Sequence, residues 1–149
     1  MRILRANERH FNEIMAIERA SFSTPWSEES VRYVMADSDV RVMVIEEEGS
    51  VLGFAILHRS LDEGELYNIA VRADRRGEGL GGRLLDTVLY CAKRWGIRRV
   101  FLEVRRSNAA ARGLYKSRGF AVCGERKNYY DAPKEDAILM DAVITEETA

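Results

Sequence analysis

Apolar positions along the chain first recur at helical spacing, then alternate as in strands, and then return to helical spacing. Residues 1–6 (MRILRA) predict a short opening strand. Over 7–22, Phe11, Ile14, Met15, Ile17 and Ala20 fall on one side of a helix, with Asn7 near its cap. Over 24–37, Val31, Val34 and Met35 form the apolar side of a second helix, capped by Ser27 and started by acids. From Val40 the texture turns strand-like. Residues 40–48 and 50–60 predict strands joined at Gly49-Ser50, and 65–72 predicts a third after a turn at Asp62-Glu63-Gly64. A long helix follows over about 79–95, where Leu84, Val88, Cys91 and Trp95 line one face. Leu80, Leu85 and Ala92 widen that face, and Gly96 stops the helix. The remainder predicts a strand at 98–104, a helix at 108–118 ended by Gly119, and strands at 120–126 and 136–144.

This order is α/β (α+β). Three meandering strands followed by a strand–helix–strand crossover predict a mixed sheet with helices on its faces, not a purely parallel one. The 149 residues suit one domain, 1–149, with no repeat or linker. A net charge of −1 gives no global field to attract nucleic acid or an acidic membrane. No apolar run approaches the ~20 residues of a membrane span, and the charged first twenty residues do not form a secretion signal. Cys91 and Cys123 stand apart, without metal-ligand spacing, as expected of reduced thiols in a cytoplasmic protein that binds no metal.

The densest signal is RRGEGLGG at 75–82. Gly77, Gly79 and Gly82 satisfy G-x-G-x-x-G, a strand precedes and a helix follows, and Glu103 lies about 20 residues on. A dinucleotide fold nevertheless fits poorly. RADRR separates the strand from the first glycine, half the chain comes earlier, and only one clear crossover comes later. A P-loop lacks its Gly-Lys-Ser/Thr. A glycine in a helix costs about 1 kcal/mol relative to alanine, so glycines carried into the first helical turn suit a ligand that must touch the backbone. A helix N-terminus offers unpaired N–H groups and a partial positive charge. Arg72, Arg75, Arg76 and Arg83 outnumber Asp74 and Glu78 here. The pattern therefore reads as a pyrophosphate cradle.

This loop resembles the acetyl-CoA loop of the GCN5-related N-acetyltransferases (GNAT), R/Q-x-x-G-x-G/A, at Arg76, Gly79 and Gly81. The resemblance extends to LYNIAV before the loop and to LEVRRSNAAARGLYKSRGF after it. With TPWSEES and ERKNYYDAPKEDAILM it covers nearly the whole chain and is similar to RimI-type enzymes, which acetylate the N-terminal alanine of a small-subunit ribosomal protein. Asp131 departs from the family, which has proline after the paired tyrosines. The resemblance implies a mostly antiparallel sheet of about seven strands, splayed between the fourth and fifth, with four helices. It implies acetyl-CoA as donor, a ribosomal-protein N-terminus as acceptor, and a monomer or weak dimer. It places the cofactor on the main chain of Ile69, Ala70 and Val71, on Arg76, Gly77, Glu78, Gly79, Leu80, Gly81 and Gly82, and on Asn108 and Ala111. Pro25, Trp26, Asn68, Asn128, Tyr129 and Tyr130 flank the acceptor, the last three and Pro25-Trp26 as exposed-loop candidates.

Two side chains are candidates for proton transfer. Glu103 ends an otherwise apolar strand at the carboxyl edge of the sheet; it is either a solvated charge or a general base, the role of the matching glutamate in the resembled enzymes. Tyr115 is either a core aromatic or a phenol that protonates the leaving thiolate. Asn108 suits a helix cap as well as a contact to the cofactor arm, which Ala109, Ala110 and Ala111 leave room to pass. Trp26 equally suits a hydrophobic staple. Arg105, Arg106 and Arg112 read as a solvated face. Neither cysteine has a neighbouring base, so direct attack in a ternary complex is expected rather than an acyl-cysteine. A lysine, polyamine or small-amine acceptor, and a non-catalytic acyl-CoA module, are the alternatives.

Overall fold

The computed structural model describes residues 1–148. Seven strands form one mixed sheet: β1 (Arg2–Arg5), β2 (Val40–Glu47), β3 (Ser50–Ser60), β4 (Glu63–Val71), β5 (Arg99–Arg105), β6 (Ala121–Tyr130) and β7 (Glu135–Val143). Their order across the sheet is β1-β2-β3-β4-β5-β7-β6, and only the β4–β5 pair is parallel. Four helices pack on it: α1 (Phe11–Ser21), α2 (Glu28–Ala36), α3 (Leu80–Arg94) and α4 (Ala109–Ser117). Short 3-10 turns cover Glu8–His10 and Ala73–Arg75.

Local chemistry sets most boundaries. Ser27 accepts the Ser30 N–H and caps α2, with Glu28 and Glu29 in its first turn. The first predicted helix is broken at its start. Asn7 accepts the Arg9 N–H, while the Asn7 N–H donates to His10 Nδ1, so a 3-10 turn precedes α1. His10 is buried, and its Nε2 lies 3.2 Å from Glu46 Oε2. With Nδ1 accepting, a neutral His10 carries its proton on Nε2 and donates it to Glu46.

The hydrophobic core is double. Phe11, Ile14, Met15, Val31 and Val34 cover one face of the sheet over Val42, Val44, Phe54 and Ile56. Leu85, Val88, Ala92, Tyr115 and Phe120 cover the other over Leu57, Leu66, Val100, Leu102, Val104 and Met140. Two differences from the sequence expectation matter. Glu63 and Gly64 belong to β4 and not to the preceding turn, which is Leu61-Asp62 alone. Gly64 is kept small by packing: a Cβ there would stand 3.0 Å from Ile97 Cδ1. The second difference is that β6 runs on to Tyr130, so Asn128, Tyr129 and Tyr130 lie at the end of an edge strand rather than in a loop.

Candidate active site

The site is built around a gap in the sheet. β4 pairs with β5 only from Glu63↔Arg99 to Leu66↔Leu102. Beyond that point its remaining residues pair with β3 alone. The departure coincides with a bulge, since Ile56 faces Asn68 but Leu57 faces Leu66, leaving Tyr67 as an extra residue. The Arg72 N–H donates to Leu52 O at 2.7 Å. Antiparallel alternation then turns the N–H groups of Ala70 and Asn68 toward β3, and those of Ile69 and Val71 into the gap. Of the three strand positions expected to hold the cofactor by their main chain, Ile69 and Val71 turn their N–H groups into the gap and Ala70 does not. The Val71 carbonyl also faces the gap and accepts Arg76 Nε at 3.2 Å.

At one end of the gap stands the start of α3. Gly79 occupies the N-cap with φ 77°, a left-handed conformation that glycine adopts without steric cost, and it supplies no side-chain cap. The first turn of α3 contains no acid, unlike that of α2. The amides of Leu80, Gly81 and Gly82 are thus left without side-chain acceptors at the positive end of a fifteen-residue helix. Among the nearby cations, Arg72 pairs with Asp74, and Arg75 with Glu78 and Glu47. Arg76 bonds only a carbonyl and, at 3.4 Å, the Ser21 hydroxyl, so its charge is not neutralised by a carboxylate among the described residues. Gly77 is exposed with φ 83°. Gly82 is buried beneath the Arg118 guanidinium, which bonds Asp86, so a side chain there would have to displace that ion pair. Gly81 sits between Val71 and Leu114 and joins the helix start to the end of β4.

On the side of the sheet away from α3 and α4, α1 and α2 cover β2–β4 but leave β5, β7 and β6 bare. A cleft of about 410 Å³ opens there, lined by His58, Glu65, Tyr67, Phe101, Glu103 and Arg126 among others. Glu103 is half-buried, with Arg126 Nε 3.4 Å from its Oε1. Interaction with Glu103, ahead of burial, raises the Tyr129 phenol pKa. Burial, then the Glu103 charge, pushes Tyr130 up to about 12. Tyr115 lies on the opposite face, buried against Phe120, and burial holds its phenol well above the usual range. The two proton-transfer candidates thus lie on opposite faces of the sheet. Asn108 caps α4 by accepting the Ala111 N–H at 3.1 Å. Pro25 is exposed, and the Trp26 ring packs 5.5 Å from that of Tyr67.

Several residues escaped the sequence reading. Glu65 faces the cleft beside Glu103; burial first, then the Glu103 charge, raises its pKa, although it keeps solvent contact. His58 stacks on Tyr67 at 5.5 Å. Glu18, on α1, is buried and accepts the Trp26 N–H at 2.9 Å and Asn68 Nδ2 at 2.7 Å. Asn68 therefore spends its side chain on Glu18 and not on the cleft. Asn128, at φ 53°, donates its N–H to Asp136. Arg105 is not part of a solvated face: it bonds Pro133, Asp131 and Ser23. Arg106 pairs with Glu125 and Asp136. Burial raises the thiol pKa of both Cys91 and Cys123.

Comparison with known proteins agrees with this geometry. The Acetyltransferase (GNAT) family model matches residues 11–120. The chain is 38% identical over 131 residues to a [ribosomal protein bS18]-alanine N-acetyltransferase of Escherichia coli K12, covering 87% of this chain and 88% of that one. It is 35% identical over 133 residues to the protein of the same name from Haemophilus influenzae, covering 87% and 90%. The crystal structure of the ribosomal-protein-S18-alanine N-acetyltransferase from Escherichia coli superposes with a TM-score of 0.91 at 34% identity, over 97% of this chain and 94% of that one. A glycine-opened helix beside a splayed, mostly antiparallel sheet, in a sequence this similar, makes the chain a member of the GNAT acetyltransferase family.

Proposed function

We propose that the chain is an N-α-acetyltransferase that moves acetyl from acetyl-CoA to the N-terminal amine of a ribosomal protein, an alanine amine, by direct attack in a ternary complex. One observation carries the reading. The gap between β4 and β5 has an anion cradle at its end and, on one face, a carboxylate-lined cleft wide enough for a peptide end. The names of the relatives support the acceptor, and an acceptor of that kind supports a cytoplasmic enzyme.

The amides of Leu80, Gly81 and Gly82, with Arg76, hold the diphosphate. Asn108 and Ala111 border the path of the cofactor arm. The Ile69 N–H donates to the thioester oxygen as negative charge develops on it, and the Val71 N–H, two residues nearer the diphosphate cradle, donates to the cofactor arm. Glu103 accepts the amine proton as the new C–N bond forms. An α-amine, with a reference pKa of about 7.7–8.0 against about 10.4 for lysine, makes this a modest task near neutral pH. The C–S bond breaks, and Tyr115 donates to the departing sulfur. Burial keeps the phenol protonated and so able to donate. Glu65 adds a second carboxylate that draws a cationic amine into the cleft. With neither thiol activated, no acyl-cysteine is needed.

The test compares short peptides with a free N-terminal alanine against the same peptides N-blocked and carrying a free lysine. Turnover of the first set supports the reading. Turnover of the blocked set alone replaces it with a lysine acetyltransferase, and turnover of neither set, with intact CoA binding, removes the peptide acceptor.

A further inference from the structure

Arg105 ends β5 two residues beyond Glu103, and its guanidinium is committed to loops. Nη1 donates to the Pro133 carbonyl at 2.8 Å. Nη2 donates to the Asp131 carbonyl at 2.9 Å and to Ser23 Oγ at 3.0 Å. Glu135 Oε1 lies 3.5 Å from Nη1, and the cation stands 4.5 Å from the centroid of the Tyr130 ring. One side chain thereby joins the segment between α1 and α2, residues 22–27, to the segment between β6 and β7, residues 131–134. The first segment carries Pro25 and Trp26. The second follows Tyr129 and Tyr130 directly. The first has a separate anchor in the Trp26 N–H bond to Glu18.

We propose that Arg105 is a positioning residue that locks these two segments together as the walls of the acceptor cleft, so that an extended peptide end meets a preformed channel. The inference rests on the acceptor assignment made for that cleft. Its physical basis is the shape of guanidinium. A planar fork serves carbonyl oxygens on one segment and a hydroxyl on the other while its face lies on Tyr130; a lysine ammonium keeps the charge but cannot stack or hold all three acceptors. Walls ordered in the free protein spare the peptide the cost of ordering them on binding.

The experiment uses the full chain with Arg105→Lys, Arg105→Met and the milder Ser23→Ala. Hydrogen exchange by mass spectrometry follows residues 22–27 and 129–135. Steady-state kinetics with an alanine-starting peptide separates KM from kcat, and calorimetry measures CoA affinity. The expected result for both Arg105 variants is exchange about tenfold faster in both segments, with a peptide KM raised about tenfold. Acetyl-CoA KM, CoA affinity and kcat stay within about twofold. Ser23→Ala loosens only residues 22–27. Unchanged exchange in a folded Arg105→Lys protein overturns the proposal. So does loosening without a change in peptide KM, or a parallel loss of CoA affinity, which marks a general structural role. A wild type that acetylates no free-amine peptide, yet whose two segments loosen together in Arg105→Lys, retires the acceptor assignment and leaves the coupling of the segments standing.

Discussion

Gly81→Asp separates what the fold needs at the start of α3 from what a bound anion needs. Gly81 has neither the left-handed backbone of Gly79 nor the overlying guanidinium of Gly82. A Cβ there would lie 3.5 Å from Leu114 Cδ2 and 3.9 Å from Val71 Cγ2, ordinary contacts. Aspartate relieves part of the glycine penalty and sets a negative charge in the first helical turn, together about 0.5–1 kcal/mol of added stability. Tm then rises by about 1–4 °C for a chain of this size. Binding moves the opposite way. At about 5 Å and an effective dielectric near 20, each carboxylate–phosphate charge pair repels by about 3 kcal/mol, roughly two orders of magnitude in CoA affinity. Gly81→Asn supplies nearly the same shape without the charge, so the aspartate–asparagine difference isolates the electrostatic part, and high salt narrows it. Calorimetry with CoA at two salt concentrations, alongside a thermal melt, reads both effects. CoA affinity of Gly81→Asp within about threefold of that of Gly81→Asn would refute a diphosphate seated on these amides.

Other outcomes follow from the same geometry. Glu103→Gln lowers kcat by about 10²–10⁴-fold while CoA affinity holds, as calorimetry and peptide turnover will show; near-normal kcat removes the base. Tyr115→Phe slows turnover without loss of CoA binding or of the ring contact to Phe120; unchanged kcat removes the donor. Glu46 is held below its usual 4.5 first by Arg2, against burial, with His10 and Arg9 adding to the shift. A lowered folded pKa means that its stabilisation is complete above 4.5 and drains away as pH falls through the lower, folded value. The urea midpoints of wild type and Glu46→Gln therefore converge on acidification, and a gap that stays constant down to pH ~2 contradicts the linkage. Gly53→Ala places a Cβ 2.8 Å from Ala70 O and 3.1 Å from Leu84 Cδ1, which costs about 1–3 kcal/mol. It also displaces β4 beside its gap-facing amides, so urea stability and CoA affinity fall together; full stability would show that the strand yields freely.

The element order was readable because apolar spacing switches cleanly between helix and strand, and because Ser27, Asn7 and Gly96 punctuate it. The loop at 75–82 was readable because glycine at Gly81 answers to nothing in the fold itself. Other features depend on partners far away in sequence. Arg105 sits next to Arg106 and looks solvated until residues 23 and 131–133 are folded over it. Gly64 follows an acidic turn and reads as part of it; its size is explained by Ile97 and Leu57, which a Cβ there would crowd. Glu18 resembles any charge on an amphipathic helix, yet it turns inward to Trp26 and Asn68. The strand character of residues 127–130 was hidden by Lys127 and Asn128, residue types depleted from strands, since an edge strand with one open side tolerates them.

Tyr67 gives the molecule a dependence on counting. Leu66 and Ile69 face the same core although three positions separate them, so one residue has been inserted without moving any later side chain to the wrong face. Excising Tyr67 would leave every packed face of β4 where it stands. The strand would then have no reason to bend, and its ladder would zip onto β5 past Glu103. Such a protein would keep its core and lose the opening through which two substrates meet.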